Sequence, residues 1–330
     1  MIHDVMIEAE GLVKRYGPTE AVAGVSLQVP AGTVLGVLGP NGAGKTTTVR
    51  MLTTLTRPDA GWARVAGHDV VHEAKAVQAT IGVTAQDATV DERLTGRQNL
   101  VMIARLSGLR RVDARRLADA LLDRFVLTDA ASRVVKGYSG GMRRRLDLAA
   151  GLVTQPPVLF LDEPTTGLDP VSRARMWGVI RELVSAGTTV LLTTQYLDEA
   201  DELADQIIVV DHGRVIAAGT AAELKTRTGG ARVQVTLTTA HPEAAAALSG
   251  FAVGDVTVSQ DGRRLRAPVS GGAGLASAVV RTLDAAGISV DDVEVHPPSL
   301  DDVFFALTGH PAVEPAGADA QAPATEGVQP

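Results

Sequence analysis

Val25, Leu27 and Val29 alternate with Ser26 and Gln28, the period of a strand with one buried face. Thr33–Leu38 is instead a nearly unbroken apolar run, as expected of a strand covered on both faces. Residues 5–38 are therefore expected to form short strands. From Gly39 to about Ala218, apolar runs alternate with helical patterns, and Ile81–Val83, Val158–Leu161, Val190–Thr193 and Ile207–Val210 are the clearest strands. Such alternation predicts an α/β domain on a largely parallel sheet. Residues 91–135 read as mostly helical and rich in arginine, which suits a helical lobe inserted into the α/β core.

A second unit begins near Ala231. Val233, Val235 and Leu237 share one face of a period-two strand, and the alanine-rich stretch Pro242–Leu248 reads as a helix. Strands over Val256–Ser259 and Leu265–Val269, a helix over Leu275–Ala286 and a strand over Ser289–Val295 complete a β-α-β-β-α-β order, which predicts a small α+β, ferredoxin-like sandwich. A last helix is expected after Pro298, with Ser299 as its cap and Asp302 three residues on. Pro311–Pro330 is rich in Ala, Pro, Gly and acidic residues and is expected to be disordered. The expected division is 1–228, 229–310 and a tail over 311–330.

Composition narrows the class of function. With 38 acidic against 31 basic residues the net charge is -7, which argues against a nucleic-acid partner. The chain has no cysteine, which excludes disulfides, thiolate metal sites and a cysteine nucleophile. Met1–Glu10 lacks the basic-then-apolar order of a signal peptide, and no apolar run approaches the roughly 18 residues of a transmembrane helix. Any membrane role is expected through a partner or through the surface.

Gly39-Pro40-Asn41-Gly42-Ala43-Gly44-Lys45-Thr46 fits the P-loop pattern, between a buried strand and a helix that starts near Lys45. Glycines let backbone N–H groups converge on phosphate oxygens, and the helix N-terminus adds its positive end. Lys45 suits the β- and γ-phosphates of ATP, and the Thr46 hydroxyl suits Mg2+. Val158–Leu161 is an apolar strand running into Asp162 and Glu163. That arrangement places Asp162 toward Mg2+ and makes Glu163 a candidate general base for an attacking water. Ser139-Gly140-Gly141, after Tyr138 and before a helical stretch, offers a second anion site of exposed N–H groups and a hydroxyl.

The P-loop, the Ser-Gly-Gly element 23 residues before the aspartate (162 − 139) and the Asp-Glu pair occur in the order that resembles ABC transporter nucleotide-binding subunits, over roughly residues 5–220. The resemblance implies further roles. Tyr16 would stack on adenine, Gln86 would sense Mg2+ and contact the permease, and Asp169, in Gly167-Leu168-Asp169, would communicate across a dimer. It also implies two subunits sandwiching two ATP molecules head to tail, each site using Gly39–Thr47, Thr47 included, of one subunit and Ser139–Gly141 of the other.

Two positions depart from the family pattern. The signature reads Tyr138-Ser139-Gly140-Gly141-Met142, where Leu usually comes first and Gln last. Thr193-Thr194-Gln195 ends in glutamine where the family usually has histidine. Glutamine can hydrogen-bond but cannot carry a proton charge, so slow hydrolysis leaning on Glu163 is the expectation.

Thr193–Asp201, together with Pro298–Phe304 and Leu307-Thr308-Gly309, resembles the ATP-binding subunits of daunorubicin/doxorubicin resistance exporters, over about residues 5–309. That resemblance implies an ABC-2 type permease as partner, a peripheral place on the cytoplasmic face of the membrane, and efflux of a hydrophobic drug or antibiotic. The competing readings are a nucleotide-gated subunit with little hydrolysis, a soluble non-transport ABC ATPase and a small-metabolite kinase. Arg143-Arg144-Arg145 is expected on a solvated or inter-subunit helix face, and Arg110, Arg111, Arg115 and Arg116 on a plain exposed helix. Phe304 and Phe305 are expected to be packing residues.

Overall fold

The computed structural model describes residues 5–84, 90–227, 231–270, 274–296, 300 and 303–304. In chain order the first elements are β1 (Val5–Tyr16), β2 (Thr19–Pro30), β3 (Val34–Leu38), α1 (Lys45–Leu52), β4 (Ala60–Val65), β5 (His68–Asp69), α2 (Ala74–Thr80) and β6 (Ile81–Thr84). Three helices follow: α3 (Gly96–Leu106), α4 (Arg111–Arg124) and α5 (Gly140–Gly151). The next group is β7 (Val158–Asp162), α6 (Pro170–Ser185), β8 (Thr189–Thr194), α7 (Leu197–Leu203), β9 (Gln206–Asp211), β10 (Arg214–Gly219) and α8 (Ala221–Arg227).

The strands expected over 5–38 are longer than anticipated. β1 and β2 each run 12 residues and pair antiparallel, with register shifts that bend the hairpin. They form a sheet of order β2-β1-β4-β5, whose Ile7, Leu12, Val25 and Val29 are fully buried. A second sheet has order β10-β9-β3-β8-β7-β6 and is parallel except at β10. β3 and β7 are buried at every position, as their unbroken apolar runs require. In such a sheet ligands bind beyond the carboxyl ends of the strands. Those ends here are Leu38 before the P-loop, Asp162 and Thr194.

The helical lobe over 91–135 is present as α3 and α4, packed with α5 around Leu100, Leu122, Phe125 and Leu146. Thr95 and Gln98 form a capping box at the start of α3, which the sequence reading did not single out. Arg110, Arg111, Arg115 and Arg116 are exposed, as expected.

The second unit contains β11 (Arg232–Leu237), α9 (Ala244–Ser249), β12 (Thr257–Val258), β13 (Arg264–Pro268), α10 (Leu275–Ala285) and β14 (Val290–His296). Its sheet is antiparallel with order β12-β13-β11-β14, the β-α-β-β-α-β connection of a ferredoxin-like sandwich, although β12 is only two residues long. Its core is its own, built on Val233, Val235, Leu237, Leu265, Val279 and Leu283. Leu300, Val303 and Phe304 instead bury against Leu38, Leu197 and Ala200 of the first unit, so Phe304 packs as expected. Ser299, Asp302, Phe305 and the tail lie outside the described residues. Among those described, no helix is long and apolar enough to cross a membrane.

Candidate functional site

The P-loop is shaped by close backbone approaches. A Cβ on Gly39 would lie 2.3 Å from Val210 O, and one on Gly44 (φ 103) would lie 2.4 Å from Ala21 O, so both positions require glycine. Lys45 starts α1 and turns its ammonium back over the loop. Its Nζ donates to Gly39 O (2.8 Å) and Pro40 O (3.1 Å) and lies 3.6 Å from Glu163 Oε1. Burial holds the Lys45 pKa below its ordinary value, while Glu163 and Asp162 pull it back up. Asn41 and Gly42 are exposed at the loop tip, Ala43 is buried against the core, and Thr46 and Thr47 are half-buried on the first turn of α1.

The carboxyl end of β7 meets this loop. Asp162 Oδ1 accepts from Thr46 Oγ1 over 3.2 Å and from Thr193 Oγ1 over 2.5 Å. Glu163 is 7% exposed and has φ 50, a left-handed backbone that a glutamate seldom adopts. It is held there from both sides. Its N–H donates to Thr193 O and Oγ1 of β8 (3.0 and 3.2 Å). On the other side its carbonyl accepts from Arg144 Nη2 at 2.8 Å. Thr166 Oγ1 donates to Glu163 Oε2 over 3.3 Å. Gln195 follows β8 directly and is half-buried, two residues beyond the Thr193 that bonds Asp162.

Ser139, Gly140, Gly141 and Asp169 form a separate junction. Ser139 caps α5, its Oγ accepting from Met142 N–H at 3.3 Å. Asp169 caps α6, accepting from Ser172 N–H (2.9 Å) and Ser172 Oγ (2.6 Å), which holds its carboxyl below the usual range. A Cβ on Gly141 would sit 3.2 Å from Ser172 Oγ, so the two caps abut. Among the described residues no hydrogen bond or ion pair joins this junction to the P-loop. Tyr16 is 47% exposed at the end of β1, with Lys14 Nζ 5.7 Å from its ring centre. Gln86 lies outside the described residues.

The arginine triplet is not a solvated face. Arg143 pairs with Glu92 over 2.9 Å. Arg144 Nε donates to Pro164 O (3.0 Å), and its Nη2 donates to Asp162 O (2.7 Å) as well as to Glu163 O. Arg145 Nη1 donates to Phe125 O and Val126 O (2.8 and 3.1 Å). Buried carbonyls at loop ends need donors, and guanidinium groups supply them.

The contacts of several other positions were not legible in the sequence. Tyr138, at the departing signature position, is buried and donates its hydroxyl to Ala130 O over 2.7 Å. A Cβ on Gly96 would lie 2.2 Å from that hydroxyl, so Gly96 and Tyr138 fit as a pair. Glu199 is fully buried, accepts from Trp177 Nε1 over 3.1 Å and lies against Thr165 and Thr194. Burial pushes its pKa up. The only sequence signal for it was a carboxylate on the stripe that also carries Ala200 and Leu203.

Both units match known protein families. The ABC transporter family model matches residues 22–166, and the model for the C-terminal domain of DrrA1-3-like ATP-binding proteins matches 219–308. The chain is 57% identical over 306 residues to the daunorubicin resistance ATP-binding protein DrrA3 of Streptomyces coeruleorubidus, covering 93% of this chain and 96% of that protein. It is 54% identical over 312 residues to the daunorubicin/doxorubicin resistance ATP-binding protein DrrA of Streptomyces peucetius, covering 93% of each. A solved ATP-binding subunit of an ABC transporter superposes with a TM-score of 0.62 at 26% identity, covering 67% of this chain and 92% of that one. The chain belongs to the ABC transporter ATP-binding subunits, within the group of drug-resistance ATP-binding proteins, and is an ATPase subunit of an exporter.

Proposed function

We propose that this subunit powers efflux of a hydrophobic drug or antibiotic through a separate ABC-2 type permease, from the cytoplasmic face of the membrane. Residues 1–228 would be the motor and 229–310 an accessory unit. Two copies would sandwich two ATP molecules head to tail, each site completed by Ser139–Gly141 of the other copy. The exposure of Ser139 and Gly140 at the start of α5 supports their use by a second chain. The drug class rests on the names of the relatives, which are resistance proteins for daunorubicin and doxorubicin.

The observation that carries the reading is the convergence of Lys45 and Thr46, on the loop after β3, with Asp162 and Glu163, at the end of β7. P-loop amides and Lys45 bind the β- and γ-phosphates, Tyr16 stacks on the adenine, and Asp169 communicates between the subunits. Glu163 accepts a proton from the attacking water, and Gln195 hydrogen-bonds near the γ-phosphate. Thr46 Oγ1 and Asp162 Oδ1 are hard oxygen donors 3.2 Å apart beside the phosphate cradle, a set that fits Mg2+, with Gln86 as a further ligand. When bound, Mg2+ neutralises charge developing between the β- and γ-phosphates.

The test is ATP hydrolysis by the purified subunit, alone and with its permease in lipid, beside Lys45→Ala. Turnover that needs Lys45 and rises with the permease supports the motor. ATP binding without turnover in either setting transfers the assignment to a nucleotide-gated subunit, the competing reading that Gln195 prompts.

A further inference from the structure

The Arg144 guanidinium spans three consecutive carbonyls, those of Asp162, Glu163 and Pro164, at 2.7, 2.8 and 3.0 Å. These are the residues at which β7 stops and the chain turns through the left-handed backbone of Glu163. The Glu163 carbonyl has a backbone donor in Thr166 N–H at 3.3 Å, and Arg144 supplies the shorter bond. Arg144 is suited to this because its fork is planar, permanently charged and able to serve several acceptors at once. Asp147, one turn along α5 and fully buried, stands 3.7 Å behind it. Burial pulls the Arg144 pKa down, and Asp147, Asp162, Glu199 and Glu163 oppose that pull.

The position of this clamp matters more than its strength. The Glu163 peptide is fastened on its N–H side to Thr193 of β8 and on its carbonyl side to Arg144 of α5. Its side chain then has one direction in which to leave the backbone, toward Lys45 and the phosphate loop. Without Arg144 the carbonyl would keep only the longer bond from Thr166 N–H, the strained left-handed conformation would be held more loosely, and the carboxylate would wander from the attack line.

We propose that Arg144 is a positioning residue for hydrolysis, holding Glu163 in the orientation from which it serves as general base. It acts through the backbone, by its bonds to the carbonyls of Asp162, Glu163 and Pro164. The proposal rests on the assignment of Glu163 as the base.

The experiment compares steady-state ATP hydrolysis by the full chain with its permease in lipid for the parent, Arg144→Gln, Arg144→Lys and Glu163→Gln. Binding of a fluorescent ATP analogue is measured alongside. Arg144→Gln is expected to lower kcat on the order of 10- to 100-fold while KM and analogue affinity stay within about threefold, because the interaction lost concerns the chemical step and not ground-state binding. Arg144→Lys keeps the charge but reaches fewer of the carbonyls, so its kcat falls between the two and it provides a folded variant should the glutamine form misfold. Arg144→Gln added to Glu163→Gln is expected to leave analogue binding intact.

Parental kcat in both Arg144 variants, with Glu163→Gln inactive, overturns the positioning role and leaves Glu163 as base. A loss of analogue affinity as large as the loss of kcat also overturns it, because that is the mark of a structural defect in the site. If Glu163→Gln itself hydrolyses ATP at the parental rate, the base assignment falls and the proposal falls with it.

Discussion

Thr193 Oγ1 donates to Asp162 Oδ1 over 2.5 Å across the paired strands β8 and β7. The bond aims the carboxylate that also meets Thr46, so the strand that leads into Gln195, the residue proposed to lie near the γ-phosphate, also orients the carboxylate proposed to hold the metal. Thr193→Val keeps the β-branched shape and removes the hydroxyl. The expected result is about a tenfold or greater rise in the Mg2+ concentration needed for half-maximal ATP hydrolysis, as for other residues that orient a metal ligand. A magnesium titration at fixed ATP reads this directly, and an unchanged midpoint would mean Asp162 is oriented without Thr193.

Gly96 and Tyr138 should behave as a coupled pair. Gly96→Ala drives a methyl into the Tyr138 hydroxyl, which Ala130 holds in place. The expected cost is about 1–3 kcal/mol in denaturant unfolding. Tyr138→Phe removes the obstructing atom, so Gly96→Ala should cost markedly less in that background. Additive losses would show that the two residues do not compete for the same space.

Glu199 should make stability fall as pH rises. Its folded pKa is raised by burial above the ordinary value of 4.5, so the folded chain binds the proton more tightly than the unfolded one. Stability therefore declines from about pH 4.5 upward, through the raised folded value. Glu199→Gln keeps an oxygen for Trp177 Nε1 and removes the titration. Its melting temperature should exceed the parent's by about 2–4 °C at pH 8, and the gap should close toward pH 4. Melting curves across that range check the sign, and a gap that widens in acid refutes it.

Gln195→His places a titratable imidazole where glutamine stands. Turnover is expected to rise on the order of tenfold at pH 7.5, within the range that positioned acid–base groups contribute. Gln195→Ala should lower it. A histidine variant no faster than the parent would show that Gln195 already does what the usual histidine does.

Glu163→Gln keeps the shape and hydrogen-bonding oxygen of the side chain but removes its basicity. Loss of at least about 100-fold in turnover with ATP binding retained is expected of a general base. Turnover at the parental rate would remove Glu163 from that role.

Much of the site is readable along the chain because its chemistry is local. Gly39–Thr46 must be contiguous to wrap one phosphate group, and Asp162-Glu163 must follow an apolar run because the strand delivers them. The second unit's β-α-β-β-α-β order was equally plain from periodicity, down to helices within two residues of their observed ends. Gln86 was named on resemblance and lies outside the described residues.

What the sequence could determine by itself was the set of elements, the phosphate loop and the two carboxylates at the end of β7. It could not tell Arg143, Arg144 and Arg145 apart. Successive residues on a helix point about 100° from one another, so a run of three identical side chains faces three different neighbours. Only the packing of α5 against β7 and the helical lobe sends the first to Glu92, the second to the carbonyls around Glu163 and the third to Phe125 and Val126. Those contacts join positions far apart in the chain, and it is the long-range fold that makes one arginine of the three a clamp on the site.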